Sequence, residues 1–240
     1  MIKNFINLPI FKRVIPSIIK KLNIKDFNYN YKNIIFNLDL RYFVDRRFYL
    51  YGWDDDLINF LNHFIKEKKC DFFLDIGSCW GIYSLQIAKG NPLIKVFSFD
   101  VFEKNIKRLE YMAKINNMSN IETFNVAIGC SKKIETFSVN EHYSPNFSKD
   151  LNGKYKINVQ QDLIDNLINI YNKRIAIKMD VERAEFEAIK GSKNLLKNNE
   201  CLIIIETEPN SNAINLLCSI GYKIIENKLD TADIILSNYK

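Results

Sequence analysis

At 240 residues, 47% hydrophobic and 26% charged, the chain can bury one sizeable core and has the balance of a globular protein. Its formal charge of +6 comes from Lys and Arg scattered along the chain rather than clustered, which speaks against a nucleic-acid partner. Cys70, Cys79, Cys130, Cys201 and Cys218 stand far apart with no CxxC pair, so the usual zinc and redox-dithiol patterns are missing and a reducing compartment is the simpler expectation.

No apolar run approaches the roughly 20 residues that span a bilayer, and the N-terminus lacks the pattern of a secretory signal; a cytoplasmic location is expected. Residues 4–22, NFINLPIFKRVIPSIIKKL, mix aliphatic side chains with Lys12, Arg13, Lys20 and Lys21 and are interrupted by Pro9 and Pro16. They have the make-up of a weak peripheral membrane contact, but a short helix packed on the domain or on a partner is preferred. Alternation and aromatics across residues 33–50 predict one or two strands or a hairpin. Residues 54–66 place Leu57, Phe60, Leu61, Phe64 and Ile65 on one helical face. The expected organisation is an N-terminal extension over residues 1–50 and one domain over 51–240.

From here strands and helices alternate. DFFLDIG (71–77) reads as a buried strand, WGIYSLQIAKG (80–90) as a helix, KVFSFD (95–100) as a strand, residues 103–116 as a helix and IETFNVAIG (121–129) as a strand. The polar stretch 131–159 alternates in KKIETFSV and KYKINV and reads as an inserted hairpin. A helix over 161–171, the strand IAIKMD (175–180), a helix over 185–196, the strand CLIIIET (201–207) and a helix over 211–220 follow. GYKIIEN and TADIILS then lie close enough in sequence to pair as antiparallel strands. This order predicts an α/β fold whose sheet is mostly parallel and built from right-handed crossovers. Strands that are apolar throughout require helices on both faces.

In such sheets ligands bind beyond the carboxyl ends of the strands. The first of these strands runs into Asp75, Gly77, Ser78, Cys79, Trp80 and Gly81, where the two glycines would let the backbone approach a ligand. The spacing is GxxxG, not the GxGxxG of a dinucleotide site. Asp100 ends the second strand, where a carboxylate can accept hydrogen bonds from ribose hydroxyls. An acid at position 75 would repel a pyrophosphate but suits an ammonium or a sulfonium. S-adenosylmethionine has a ribose, an amine and a sulfonium, and no phosphate.

IKMDVERAEFEAIKG (177–191) gathers Asp180, Glu182, Glu185 and Glu187 around Arg183. Acids in the opening turn of a helix gain roughly 0.3 to 1 kcal/mol from its positive end, which accounts for Glu185 and in part for Glu182. Glu187 is expected to be a solvated helix position. Asp180, at the end of a buried strand, is expected to face the ligand cleft. Asp180, Glu182 and Glu206 are the carboxylate candidates for a general base, with His142, in EHYSPNF, as a further one. His63 falls on a predicted helix and is read as structural, and no metal site is expected.

LDIGSCWGIYSL, VFSFDVFEKNIKRLEYMAKIN, FNVAIG and IKMDVERAEFEAIKG followed by IIIETEP, in that order within residues 51–209, resemble the FkbM family of class I S-adenosylmethionine-dependent methyltransferases. The resemblance implies a Rossmann-like sheet of seven strands with the last antiparallel. It also implies O-methylation of a hydroxyl on a sugar, a glycan or a small metabolite, with such a molecule as the partner and no nucleic acid. Carried over, Asp75, Gly77 and Gly81 match the first cofactor motif, with Ser78 and Trp80 as neighbours of the methionine part. Asp100 stands where the family has Glu before Pro, and Val101 replaces that proline. Asn125 and Ala127 match the segment bordering adenine. Asp180, Val181, Glu182, Ala184 and Glu185 match D-V-E-G-A-E, with Arg183 in the glycine's place. If that glycine needs a positive φ, arginine there costs on the order of 1 kcal/mol; if it only needs to be small, Arg183 narrows the pocket or pairs with a nearby acid. The insertion and the N-terminal segment are expected to cover the pocket and select the acceptor. Three other readings compete: an RNA or protein N-methyltransferase, although MDVE stands where [DN]PP[YFW] would be; a non-catalytic methyltransferase-like binding module; and, last, a dinucleotide oxidoreductase.

Overall fold

A computed structural model describes residues 9–139, 155–225 and 233–239. The chain opens with α1 (Pro9–Lys21), β1 (Phe27–Tyr31), β2 (Ile34–Leu38), α2 (Phe43–Tyr51), α3 (Asp55–Lys68), β3 (Phe72–Ile76), α4 (Ile82–Gly90), β4 (Lys95–Asp100), α5 (Glu103–Ile115), β5 (Ile121–Asn125) and β6 (Ala127–Ile128). It continues through β7 (Lys133–Val139), β8 (Tyr155–Asp162), α6 (Ile164–Leu167), β9 (Arg174–Met179), α7 (Glu185–Lys190), α8 (Lys193–Asn198), β10 (Glu200–Glu206), α9 (Asn212–Ser219), β11 (Lys223–Ile225) and β12 (Asp233–Ser237). Seven strands make the main sheet in the order β11-β12-β10-β9-β3-β4-β5. From β10 to β5 every pairing is parallel, and β12 runs antiparallel to both of its neighbours. The strand order reverses between β3 and β9, and a sheet of this kind places its ligand at that point.

Alternate residues of the central strands serve opposite faces. Phe73, Ala176, Leu202 and Ile204 enter a core with α3, α4 and α5, while Leu74, Ile76, Ile177 and Ile203 enter another with α6 to α9. Both faces are dry, which is why these strands carry almost no polar residue. The exceptions, Asp75, Ser98 and Lys178, are buried and lie side by side in the ladder.

Four stretches depart from the sequence expectation. Residues 33–50 were expected as strands, but the hairpin lies at 27–38, turned by Lys32 and Asn33 with both φ positive, as a two-residue hairpin loop requires. FVDRRFYLY is helical instead: Asp45 accepts from the Asp39 backbone N–H at 2.7 Å and Arg46 donates to the Leu40 carbonyl at 3.0 Å, so the charges that mimic strand alternation are satisfied inside the fold. The expected strand 121–129 splits at Val126, whose N–H is held by the Asp100 carbonyl at 3.1 Å, and β6 leaves to join β8 and β7 in a separate three-stranded sheet. The helix expected over 161–171 shrinks to α6, because Gln161 and Asp162 pair with β6. The helix expected over 185–196 breaks at Gly191, where a Cβ would meet the Gly129 carbonyl oxygen at 1.8 Å; the backbones touch there, and α8 restarts beyond the contact. Among the described residues no helix is long and apolar enough to cross a membrane.

The N-terminal hairpin and α2 share a core with α4. Phe36 and Phe48 pack on the Trp80 ring at 6.0 and 5.5 Å. Arg108 of α5 lies over that ring at 4.5 Å, donates to the Asn37 carbonyl and pairs with the buried Asp45. Removing one partner of a buried pair strands the other charge. Arg108→Ala should therefore lower unfolding free energy by about 3 kcal/mol in urea titration, and Asp45→Ala added to it should cost less than the two single losses summed.

Candidate active site

The sheet brings a set of carboxylates to one edge. Asp75 faces Ser98 on one side and Lys178 on the other, Asp100 sits across from Asn125, and Glu206 across from Asp233. Because β12 is antiparallel, its first residue joins the last residues of β4 and β10 at that edge. A cavity of about 420 Å³ opens there. Its walls include Asp75, Gly77, Ser78, Cys79, Asp100, Val101, Ala127, Asp180, Glu182 and Glu206.

Gly77 has φ +86°, and a Cβ on it would lie 1.8 Å from the Asp180 carbonyl oxygen. The glycine thus admits the neighbouring loop, which sequence reasoning had assigned to a ligand. Gly77 and Ser78 donate to the Phe99 carbonyl at 2.9 Å each, and Asp180 donates to the Ile76 carbonyl at 2.9 Å, so three strand ends are tied together. Asp75 accepts from the Ser84 N–H at 3.0 Å and from its hydroxyl. Gly81 is the residue before α4, and Ser84 is the third residue of that helix, so Asp75 caps a helix that has no cap of its own. Burial pushes the Asp75 carboxyl up to about 6.

Asp100 accepts from the N–H groups of Cys79 at 2.9 Å and Phe102 at 2.8 Å and from the Asn105 amide at 3.1 Å. Three donors leave lone-pair capacity on a carboxylate. Burial outweighs these bonds and pushes its pKa up to about 7. Asn125 turns its amide to the Asp100 backbone carbonyl at 3.0 Å and borders a shallower hollow, not the main cavity. Trp80, expected beside the methionine part, is 1% exposed and packs into the core instead. Gly81 likewise does not line the cavity.

At the other side stand Asp180, Glu182 and Glu206. Glu206 is pushed up to about 7 by partial burial and then by Asp180, against the pull of Lys178. Burial and then Asp180 also raise Glu182. Glu187, expected to be solvated, lines the cavity. His142 lies outside the described residues. His63 is exposed on α3, 3.5 Å from Glu67.

Sequence reasoning missed Lys178. It is 4% exposed, donates to Asp233 at 3.0 Å and lies over the Tyr83 ring at 5.7 Å. Burial pulls its pKa down, but Asp233, Asp180 and Glu206 outweigh that and hold it above the usual lysine value. A lone charge inside IAIKMD was the available signal, since a lysine in a strand dry on both faces needs a carboxylate partner. Phe43, Val44, Arg47 and Trp53 also line the cavity. Nothing in their spacing marks them, because α2 reads as a strand.

The Methyltransferase FkbM domain family matches residues 75–229, well over half of the chain. The chain belongs to the FkbM methyltransferase family. It is a methyltransferase with a class I, Rossmann-like fold. The fold is shared with the human methyltransferase 10 domain containing protein, at 14% identity over 94% of this chain and 98% of that one, TM-score 0.52. It is shared likewise with a methyltransferase from Geobacter sulfurreducens, at 11% identity over 81% of this chain and 84% of that one, TM-score 0.50. No curated protein matches this methyltransferase by sequence.

Glu182 and Arg183 have φ +51° and +74°, so the turn after β9 does occupy the region that disfavours an arginine. The Arg183 N–H is held by the buried Glu185 at 3.1 Å, and its side chain is exposed and outside the cavity wall. Arg183→Gly removes the strain and returns part of the gain as extra freedom of the unfolded chain. The net expected change is stabilisation by about 0.5 to 1 kcal/mol in thermal or urea unfolding, with the cavity unaltered.

Proposed function

We propose that this methyltransferase transfers the methyl group of S-adenosylmethionine to a hydroxyl of a sugar, a glycan or a small metabolite. The observation that carries this reading is the charge of the cavity wall. Asp75, Asp100, Asp180, Glu182, Glu187 and Glu206 line it, against Lys178 and Arg47 alone among the described residues, and Lys178 is already paired with Asp233. Such a wall attracts a cationic nucleoside and repels a dinucleotide's pyrophosphate. A volume of about 420 Å³ lies within the usual range for ligand pockets, roughly 300 to 1,000 Å³.

Asp100, with lone-pair capacity left and no cation bonded to it among the described residues, would take the ribose hydroxyls. The backbone from Gly77 to Cys79 would flank the methionine part, and Val101 and Ala127 the base. Bound S-adenosylmethionine supplies an electrophilic methyl group on sulfur. Asp180 and Glu206, at the ends of β9 and β10, are placed to accept the proton that an acceptor hydroxyl loses as it attacks. Lys178 beside Glu206 opposes, without outweighing, the burial and the Asp180 charge that raise it. Holding the acceptor oxygen in line is expected to supply much of the acceleration, since well-oriented reactants gain roughly 7 to 11 kcal/mol over free encounter.

Isothermal titration with S-adenosylmethionine should give one site per chain, and Asp100→Ala should weaken it at least tenfold, about 1.4 kcal/mol. A wild type that takes up no cofactor, or an unchanged affinity in the variant, contradicts the assignment. The base is tested by pH. A group that must be deprotonated to act is inactive below its pKa, so kcat/KM should rise with pH and level off above about 7, where Glu206 has lost its proton. Glu206→Gln should lower the plateau by about a hundredfold, the lower end of what general-base assistance contributes, and remove that inflection.

A further inference from the structure

We propose that the part of the cavity formed by α2 and the turn after it is a subsite for an anionic group on the acceptor, held by Arg47 against the Trp53 ring. The proposal rests on the reading of this cavity as a methyltransferase site and names the chemical class of its acceptor: a hydroxylated, sugar-like molecule that also carries a carboxylate or a phosphate.

Among the described residues two cations line the cavity, and they stand in opposite conditions. Lys178 is buried and bonded to Asp233. Arg47 is exposed at the wall, its guanidinium 4.3 Å from the centre of the Trp53 ring, and among the described residues no carboxylate pairs with it. Stacking on an indole fixes the plane of a guanidinium and leaves its edge donors pointing outward. That fork matches the two oxygens of a carboxylate or a phosphate. Phe43, Val44 and Trp53 give the same part of the wall apolar surface for the face of a sugar ring or an aliphatic stem.

The carboxylates then set the direction of binding. An acceptor anion among Asp180, Glu182 and Glu206 would meet like charge. The same anion beside Arg47 meets opposite charge. An acceptor with a hydroxyl at one end and an acid at the other therefore enters in one orientation, hydroxyl toward the carboxylates at the strand ends. A neutral acceptor has no such preference.

The test uses a cell extract split on anion-exchange resin into retained and unretained pools, each incubated with methyl-labelled S-adenosylmethionine and the full chain. Label should enter the retained pool, and phosphatase treatment of that pool beforehand tells a phosphate from a carboxylate. Arg47→Ala should cut labelling at least tenfold while its affinity for S-adenosylmethionine, by calorimetry, stays within twofold of wild type. Arg47→Lys should recover only a small part, because an ammonium cannot reproduce the fork. Label confined to the unretained pool, or equal labelling by Arg47→Ala, overturns the proposal. Weakened cofactor affinity in Arg47→Ala also overturns it, since Arg47 would then belong to the other half of the cavity. Intact cofactor binding with no label in either pool overturns the methyl-transfer reading itself, and this one with it.

Discussion

The ends of β3 and β9 approach more closely than any side chain between them allows. With a Cβ at position 77 only 1.8 Å from the Asp180 carbonyl oxygen, the two loops can meet only over a glycine. The meeting lies at the point where the strand order reverses, and everything in the site is referred to it. It sets Asp180 against the loop of Ser78 and Cys79, and that loop in turn donates to Asp100. A residue larger than glycine would separate the half of the cavity expected to hold the nucleoside from the half expected to hold the acceptor.

The buried charges around this junction are arranged unequally. Asp75 is spent on the start of α4, and Lys178 on Asp233. Each is therefore anchored by a neighbour on the protein. Asp100 is different: it is buried, accepts three hydrogen bonds, and among the described residues has no cation bonded to it, so its charge is disfavoured in the free protein. Glu206 is pushed up to about 7 by partial burial and then by the charge of Asp180. Groups kept in such states are the ones that a ligand or a reacting proton can move, as is common at functional sites.

The main sheet was legible in the sequence because its strands are dry on both faces, and uninterrupted apolar runs such as CLIIIE have few other uses. The acids at 75, 100, 180 and 206 were legible because each closes one of those runs. Trp80 was misjudged because the loop it belongs to was visible but the hairpin that covers its ring was not. The helix α2 read as a strand since Asp45 and Arg46 imitate the outward half of an alternating pattern, and only Arg108, some sixty residues on in the chain, explains why they are inside. Arg47, on the same helix, was invisible for the same reason. Glu187 was given to solvent by helical spacing alone, which cannot show that α7 lies along a cavity.

One turn of α5 carries both Asn105, bonded to the Asp100 carboxylate, and Arg108, which grips Asp45 two residues before Arg47. The two halves of the cavity are thus mounted on a common beam. For anyone recasting the acceptor specificity, the practical unit of exchange is larger than the lining residues: a grafted α2 must bring an acid at 45, or the helix under the nucleoside side loses its anchor as well. Position 47, exposed at the mouth, can be varied, whereas position 45 is closed to change.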